Sequence, residues 1–117
     1  MDVKSAFLNG DINTNIYMKQ PEGFDDPTKV CKLRKGIYGL KQAARLWNSK
    51  FDTYLKKKGY EASEADPCIY IKSTKKKERD SFVILSVYVD DIILASNNLD
   101  LLKRENNDLA EHFEMVD

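Results

Sequence analysis

The sequence has little of what marks a membrane, secreted or zinc-bound protein. Its longest mostly apolar run, Phe82 to Val89, falls far short of the roughly 18 residues needed to cross a bilayer, so no membrane partner is expected. The amino terminus lacks the basic-then-apolar layout of a signal peptide. There are only two cysteines, Cys31 and Cys68, without metal-like spacing, and both are expected to be reduced and half-buried. These absences point to a reducing intracellular compartment and against secretion. The lone histidine, His112, falls on the last predicted helix and reads as solvated rather than catalytic. No internal repeat, low-complexity stretch or linker interrupts the chain. Net charge is zero, with 19 basic and 19 acidic residues, so bulk composition gives no sign of a nucleic-acid partner.

What is present is enough for one small domain: 117 residues, 42% hydrophobic and 32% charged, an ordinary globular balance that argues against disorder. The charge is unevenly placed. Residues 29–58 carry ten Lys/Arg against one acid, Asp52, while the remainder carries nine basic residues against eighteen acidic ones. One segment is suited to meeting anions and another gathers carboxylates. The plain alternative is two solvated faces of opposite sign.

Met1 to Leu8 alternates as a short strand, with Val3 and Ser5 on one face and Asp2 and Lys4 on the other. Asn9-Gly10-Asp11 signals a turn. Ile16-Tyr17-Met18 and Val30 to Leu33 read as further short strands, separated by the loop Asp25-Asp26-Pro27. Leu40, Ala43, Ala44, Trp47, Phe51, Tyr54 and Leu55 recur at three- and four-residue steps and predict a helix. Gly39 precedes it, Gly59 is placed to cap it, and Lys56, Lys57 and Lys58 suit the negative end of its dipole. Glu61 to Pro67 reads as a loop, Cys68 to Lys72 as a strand, and the charged run Ser73 to Ser81 as an exposed hairpin connection. Phe82 to Val89 predicts a central strand covered on both faces. Ile92 to Ala95 resumes strand character after Asp90-Asp91. Asn97 or Asn98 then caps a second helix with Leu99, Leu102, Leu109 and Phe113 as its stripe. The order matches the split βαβ pattern, β-α-β-β-α-β, with its last strand missing. The chain also starts inside its first strand, so both ends are expected to be cut.

Tyr88-Val89-Asp90-Asp91 is the most informative stretch. A hairpin gains from Asn-Gly or Asp-Gly at its turn; Asp-Asp instead sets two like charges beside a core. One should resist ionising unless a cation lies between them. In the split βαβ arrangement the first strand adjoins the one carrying Tyr88 to Asp91, at about 4.8 Å, which brings Asp2 within reach. Three carboxylates could then hold hard divalent cations such as Mg²⁺. Two such ions about 4 Å apart suit in-line phosphoryl transfer. The alternative is that Asp90 and Asp91 form a surface turn and Asp2 is an end residue.

Four motifs then appear in order: Asp2-Val3-Lys4-Ser5-Ala6-Phe7-Leu8-Asn9-Gly10, Ile16-Tyr17-Met18-Lys19-Gln20-Pro21-Glu22-Gly23-Phe24, Tyr38-Gly39-Leu40-Lys41-Gln42-Ala43 and Tyr88-Val89-Asp90-Asp91. Together they resemble the reverse transcriptase of Ty1/copia-type (pseudovirus) retrotransposons, across residues 1–117. The resemblance implies an α+β fold, the polymerase palm: a ferredoxin-like β-α-β-β-α core whose antiparallel sheet carries two helices on one face, incomplete at both ends. It implies RNA-directed DNA synthesis with two Mg²⁺ ions, or Mn²⁺, held by Asp2, Asp90 and Asp91 as catalytic and metal-binding acids. Phe7 falls where the family places the aromatic gate against the sugar 2′ position, although its periodicity alone suits a core aromatic. Tyr38, Gly39 and Lys41 fall in the nucleotide-binding second palm motif, where a glycine lets the backbone approach a ligand. Lys32, Arg34 and Lys35 are the candidates for contacting nucleic acid.

The implied partners are an RNA template, a DNA primer, a dNTP and the remainder of a polyprotein. The implied setting is the cytoplasm, a virus-like particle or the nucleus. Two departures stand out: Ala44 occupies a position usually proline, which would loosen the helix start, and Gly36 one usually alanine or serine. The resemblance also implies upstream fingers and a downstream thumb beyond these 117 residues. Two other readings remain: a non-catalytic relic of a truncated element, and a palm-type nucleotidyl transferase or cyclase of another kind.

Overall fold

Alternation along one strand sets the architecture. In β6, Arg79–Tyr88, the side chains of Val83, Leu85 and Val87 are buried while the alternating Phe82, Ile84 and Tyr88 are exposed. Neighbouring residues of a strand face opposite ways, so one face of the sheet is packed and the other open. The expectation of a strand covered on both faces is therefore corrected: the buried residues of both helices join the sheet's inner face in a single core, and no described element lies over the outer face. The computed structural model describes residues 1–12, 16–24, 26–38, 40, 42–76 and 79–116. Asp25 of one predicted loop, and Lys77 and Glu78 of the predicted charged connection, lie outside them.

The chain runs β1 (Asp2–Val3), a 3-10 helix (Ala6–Asn9), β2 (Tyr17–Met18), β3 (Cys31–Lys32), α1 (Ala43–Lys57), β4 (Glu61–Ala62), β5 (Ile69–Lys76), β6, β7 (Asp91–Ser96), α2 (Leu99–His112) and β8 (Met115–Val116). The main sheet is antiparallel, in the order β4-β5-β6-β7-β1-β8, and β2 and β3 form a separate two-stranded arm. The predicted first strand is cut short because Ser5 takes a left-handed φ of 48° and turns the chain into the 3-10 helix. Glu61 and Ala62, expected in a loop, pair with Ile71 and Tyr70. The predicted charged connection is largely strand, since β5 and β6 stay paired out to Lys76↔Arg79. A terminal strand, expected to be missing, is present as β8 against β1.

α1 is amphipathic as its spacing predicts, burying Ala43, Trp47, Phe51, Tyr54 and Leu55. It ends at Gly59, whose φ of +93° suits glycine. The Gly59 N–H bonds the Lys56 carbonyl and the Tyr60 N–H bonds the Leu55 carbonyl, which is the Schellman closure of a helix C-terminus. α2 opens on Asn98, whose side chain accepts from the N–H groups of Asp100 and Leu101. Asn97 serves the sheet instead, accepting from the Phe82 N–H and donating to the Asp80 carbonyl. α2 buries Leu101, Glu105 and Leu109, with Leu99 exposed, so its inward stripe differs from the predicted one. Glu105 is 3% exposed and is satisfied by the Lys72 ammonium at 2.8 Å and the Tyr60 hydroxyl at 3.0 Å.

Candidate functional site

The hairpin between β6 and β7 closes on the pair Tyr88↔Asp91, so its two loop residues are Val89 and Asp90. The turn is thus Val-Asp rather than the expected Asp-Asp, and Asp91 is the first residue of β7. β1 adjoins β7, not the strand ending at Tyr88, with Asp2 and Asp91 as Cα partners. Directly opposed residues of antiparallel strands share a face, which sends both carboxylates to the open side of the sheet. Asp90 joins them from the turn. Oxygens of Asp2, Asp90 and Asp91 all lie within 4.8 Å of one another. Among the described residues no lysine or arginine nitrogen comes within the 4.0 Å of an ion pair to any of the three.

The turn that carries Asp90 is held from outside the hairpin. Val89 sits at φ 55°, left-handed backbone that costs a β-branched residue free energy. The Trp47 indole N–H, reaching up from α1, donates to the Val89 carbonyl. The Val3 N–H bonds the Asp90 carbonyl at 2.8 Å. Tyr38 donates its hydroxyl to Asp90 Oδ2 at 3.2 Å, and its ring packs on Phe7 with centroids 4.3 Å apart. Burial first, then the charge of Asp90, pushes the Tyr38 phenol above its ordinary value, so the hydroxyl keeps its proton and stays a donor at neutral pH.

Phe7 lies on the 3-10 helix, half-buried and packed against the core cluster. Its carbonyl passes so near Gly36 that a Cβ there would sit 2.7 Å from it, a close approach that calls for glycine. Of the remaining predicted site residues, Gly39 and Lys41 lie outside the described residues. Lys32 and Arg34 are exposed on or beside β3. Lys35 pairs with Asp11 at 2.7 Å, so one of the three cations proposed for nucleic acid is engaged by a carboxylate of the chain itself. Sequence reasoning did not find Trp47 as a turn anchor or Tyr38 as a partner of Asp90. These contacts span 42 and 52 residues, and no local pattern signals them.

The chain belongs to the reverse transcriptase (RNA-dependent DNA polymerase) family, whose model matches residues 1–117. Within it the chain is of the copia type. It is 44% identical over 120 aligned positions to the Retrovirus-related Pol polyprotein from transposon TNT 1-94 of Nicotiana tabacum, covering all of this chain and 9% of that protein. It is 40% identical over 120 positions to the Retrovirus-related Pol polyprotein from transposon RE1 of Arabidopsis thaliana, covering all of this chain and 8% of that protein. The Transposon Ty1-BL Gag-Pol polyprotein of Saccharomyces cerevisiae is 32% identical over 105 positions, covering 89% of this chain and 6% of that protein. The chain spans less than a tenth of these three relatives. No solved structure matches it.

Proposed function

We propose that this chain is the palm of an RNA-directed DNA polymerase and that Asp2, Asp90 and Asp91 are its catalytic acids. The observation that carries the reading is the meeting of three carboxylates, from β1 and from the β6–β7 hairpin, within 4.8 Å on the open face of the sheet. The sheet segment β8-β1-β7-β6, in which α1 follows β1 and α2 follows β7, has the order of a ferredoxin-like βαββαβ unit and supports the palm assignment.

The donor set fits hard divalent cations: three carboxylates, without a competing ammonium or guanidinium among the described residues. Oxygen-only ligation suits Mg²⁺, with Mn²⁺ as a substitute. When bound, a pair of such ions would supply the Lewis acidity that activates the attacking hydroxyl and steadies the leaving group. The reaction joins the primer 3′ oxygen to the α-phosphorus of a dNTP and breaks that phosphorus's bond to pyrophosphate. The chain's own part is positioning, which can account for much of a rate when two substrates must be held in register. Asp2 and Asp91 are fixed by strand pairing, and Asp90 by the anchored turn. Phe7, with Tyr38 against it, would crowd the sugar 2′ position and reject a ribonucleotide by sterics. Lys32 and Arg34 would meet the phosphates of the RNA template and DNA primer. The remainder of a polyprotein and an intracellular setting follow from the same reading.

The test is to install residues 1–117 in place of the matching segment of the tobacco TNT 1-94 polyprotein and to assay primer extension on homopolymer RNA with Mg²⁺. Extension is expected, and Asp90→Asn should abolish it. No extension with all three acids intact would favour the non-catalytic relic, and nucleotide cyclisation without template would favour another palm-type enzyme.

A further inference from the structure

The anchors of the Asp90 turn divide into two kinds. Val3 and Trp47 bond main-chain carbonyls. They fix where the Asp90 Cα sits but leave its carboxylate free to rotate. Tyr38 alone among the described residues bonds that carboxylate, at Oδ2. Tyr38 is 58% exposed, yet its ring is not loose, because it lies 4.3 Å from the half-buried ring of Phe7 at an interplanar angle of 43°. The hydroxyl is therefore aimed by a ring contact on one side and received by Asp90 on the other.

Three carboxylates this close repel one another, and the half-buried Asp90, its Cα held, can still rotate its side chain away. A lysine or arginine in Tyr38's place would hold Asp90 more strongly but would neutralise it and compete with a divalent ion. A phenol is neutral at working pH and occupies only one of the roughly four acceptor positions of an ionised carboxylate. Asp90 can accept from Tyr38 and still present oxygen lone pairs toward Asp2 and Asp91. The 3.2 Å contact is longer than the tightest hydroxyl–carboxylate bonds of about 2.6 Å, so it orients the group without locking it.

We propose that Tyr38 is a positioning residue for the Asp90 carboxylate, holding it ready for a divalent cation. The inference rests on the metal reading of the acid cluster given above. It adds to the nucleotide-binding role that the family resemblance implies for Tyr38, and it joins the two: the aromatic pair that faces the sugar also aims a metal-binding acid. Outer hydrogen-bond partners of this kind typically change metal affinity about 10- to 100-fold when removed.

The experiment is Mn²⁺ titration of the 117-residue chain followed by electron paramagnetic resonance, with thermal unfolding of each variant in parallel. Tyr38→Phe keeps the ring on Phe7 and removes only the hydroxyl. It is expected to weaken Mn²⁺ about 10-fold or more with an unchanged Tm in the absence of metal. Phe7→Leu should weaken Mn²⁺ in the same direction by releasing the ring, although Phe7 touches no carboxylate itself. Asp90→Asn serves as the control for the site. If Asp90→Asn abolishes binding while Tyr38→Phe binds as tightly as the unaltered chain, the positioning role is overturned and the metal site stands. If the unaltered chain takes up no Mn²⁺, the metal reading falls and the role of Tyr38 falls with it.

Discussion

Val89 shows how single residues shape the site. In a hairpin with a two-residue loop the favoured turns place φ > 0 at the first loop position, where asparagine, aspartate or glycine is the usual occupant. Here a valine sits there at φ 55°, partly exposed, so little burial offsets the strain. The bond from the Trp47 indole to its carbonyl and the bond from the Val3 N–H to the next carbonyl hold it in place. Val89→Gly removes the strain, worth roughly 1–3 kcal/mol, against a loss of about 0.5–1 kcal/mol from added freedom of the unfolded chain. The expected net effect is a gain of about 1 kcal/mol in urea unfolding. The same change should loosen the turn and lower the affinity of the carboxylates for Mn²⁺. A variant that is both less stable and equally tight for Mn²⁺ would show that the turn is not strained.

At the scale of elements, α1 is the part on which both core and site depend. It buries Trp47, Phe51 and Leu55 and sends the Trp47 indole to the turn that carries Asp90. Its end is set by Gly59, and Gly59→Ala forces a side chain into φ +93°. The expected cost is about 1–2 kcal/mol in thermal or urea unfolding. Mn²⁺ affinity should not change, because the cap bonds only Lys56 and Leu55. This element was legible in the sequence, since a 3.6-residue repeat and a terminal glycine are local signals. So were the short strands of the arm and the Asp90-Asp91 pair, because two aspartates after an apolar strand conflict with burial in any fold, whereas Asp2 was placed near them only through the expected strand order. The inward face of α2 was harder. Two leucine registers compete there, and the correct one places Glu105 in the middle of the buried stripe, where its partners Lys72 and Tyr60 come from 33 and 45 residues away. The extent of β5 and β6 was obscured for another reason: where the ribbon leaves the core it needs backbone pairing but no apolar face, so the charged run Ser73 to Ser81 gave no strand pattern.

The whole molecule is drawn out. Its Cα radius of gyration is 17.9 Å, against about 13 Å for a compact domain of this length. Its accessible surface is 8655 Å², where a compact monomer of this mass would expose about 6500 Å². With so little interior, a few buried polar contacts tie distant segments together. The chief one joins α2 to β5 and to the residue just past α1: Glu105 accepts from Lys72 and from Tyr60. Burial foremost, and then the charge of Glu105, push the Tyr60 phenol far above its ordinary 10.0, and burial with Asp52 raises Tyr70 in the same direction. Below pH 10 the phenol is protonated in both states and its contribution to stability is fully present. Above that, the unfolded chain releases the proton while the folded one retains it, so the unfolded state gains and stability falls as pH rises. Denaturant unfolding between pH 8 and pH 12 should therefore show a flat region and then a decline setting in near pH 10. Tyr60→Phe leaves Glu105 its bond to Lys72 and removes one such group. Its decline should be shallower by up to about 1.4 kcal/mol per pH unit, the weight of a single proton. Identical slopes for the two proteins would mean that Tyr60 ionises as freely in the fold as out of it.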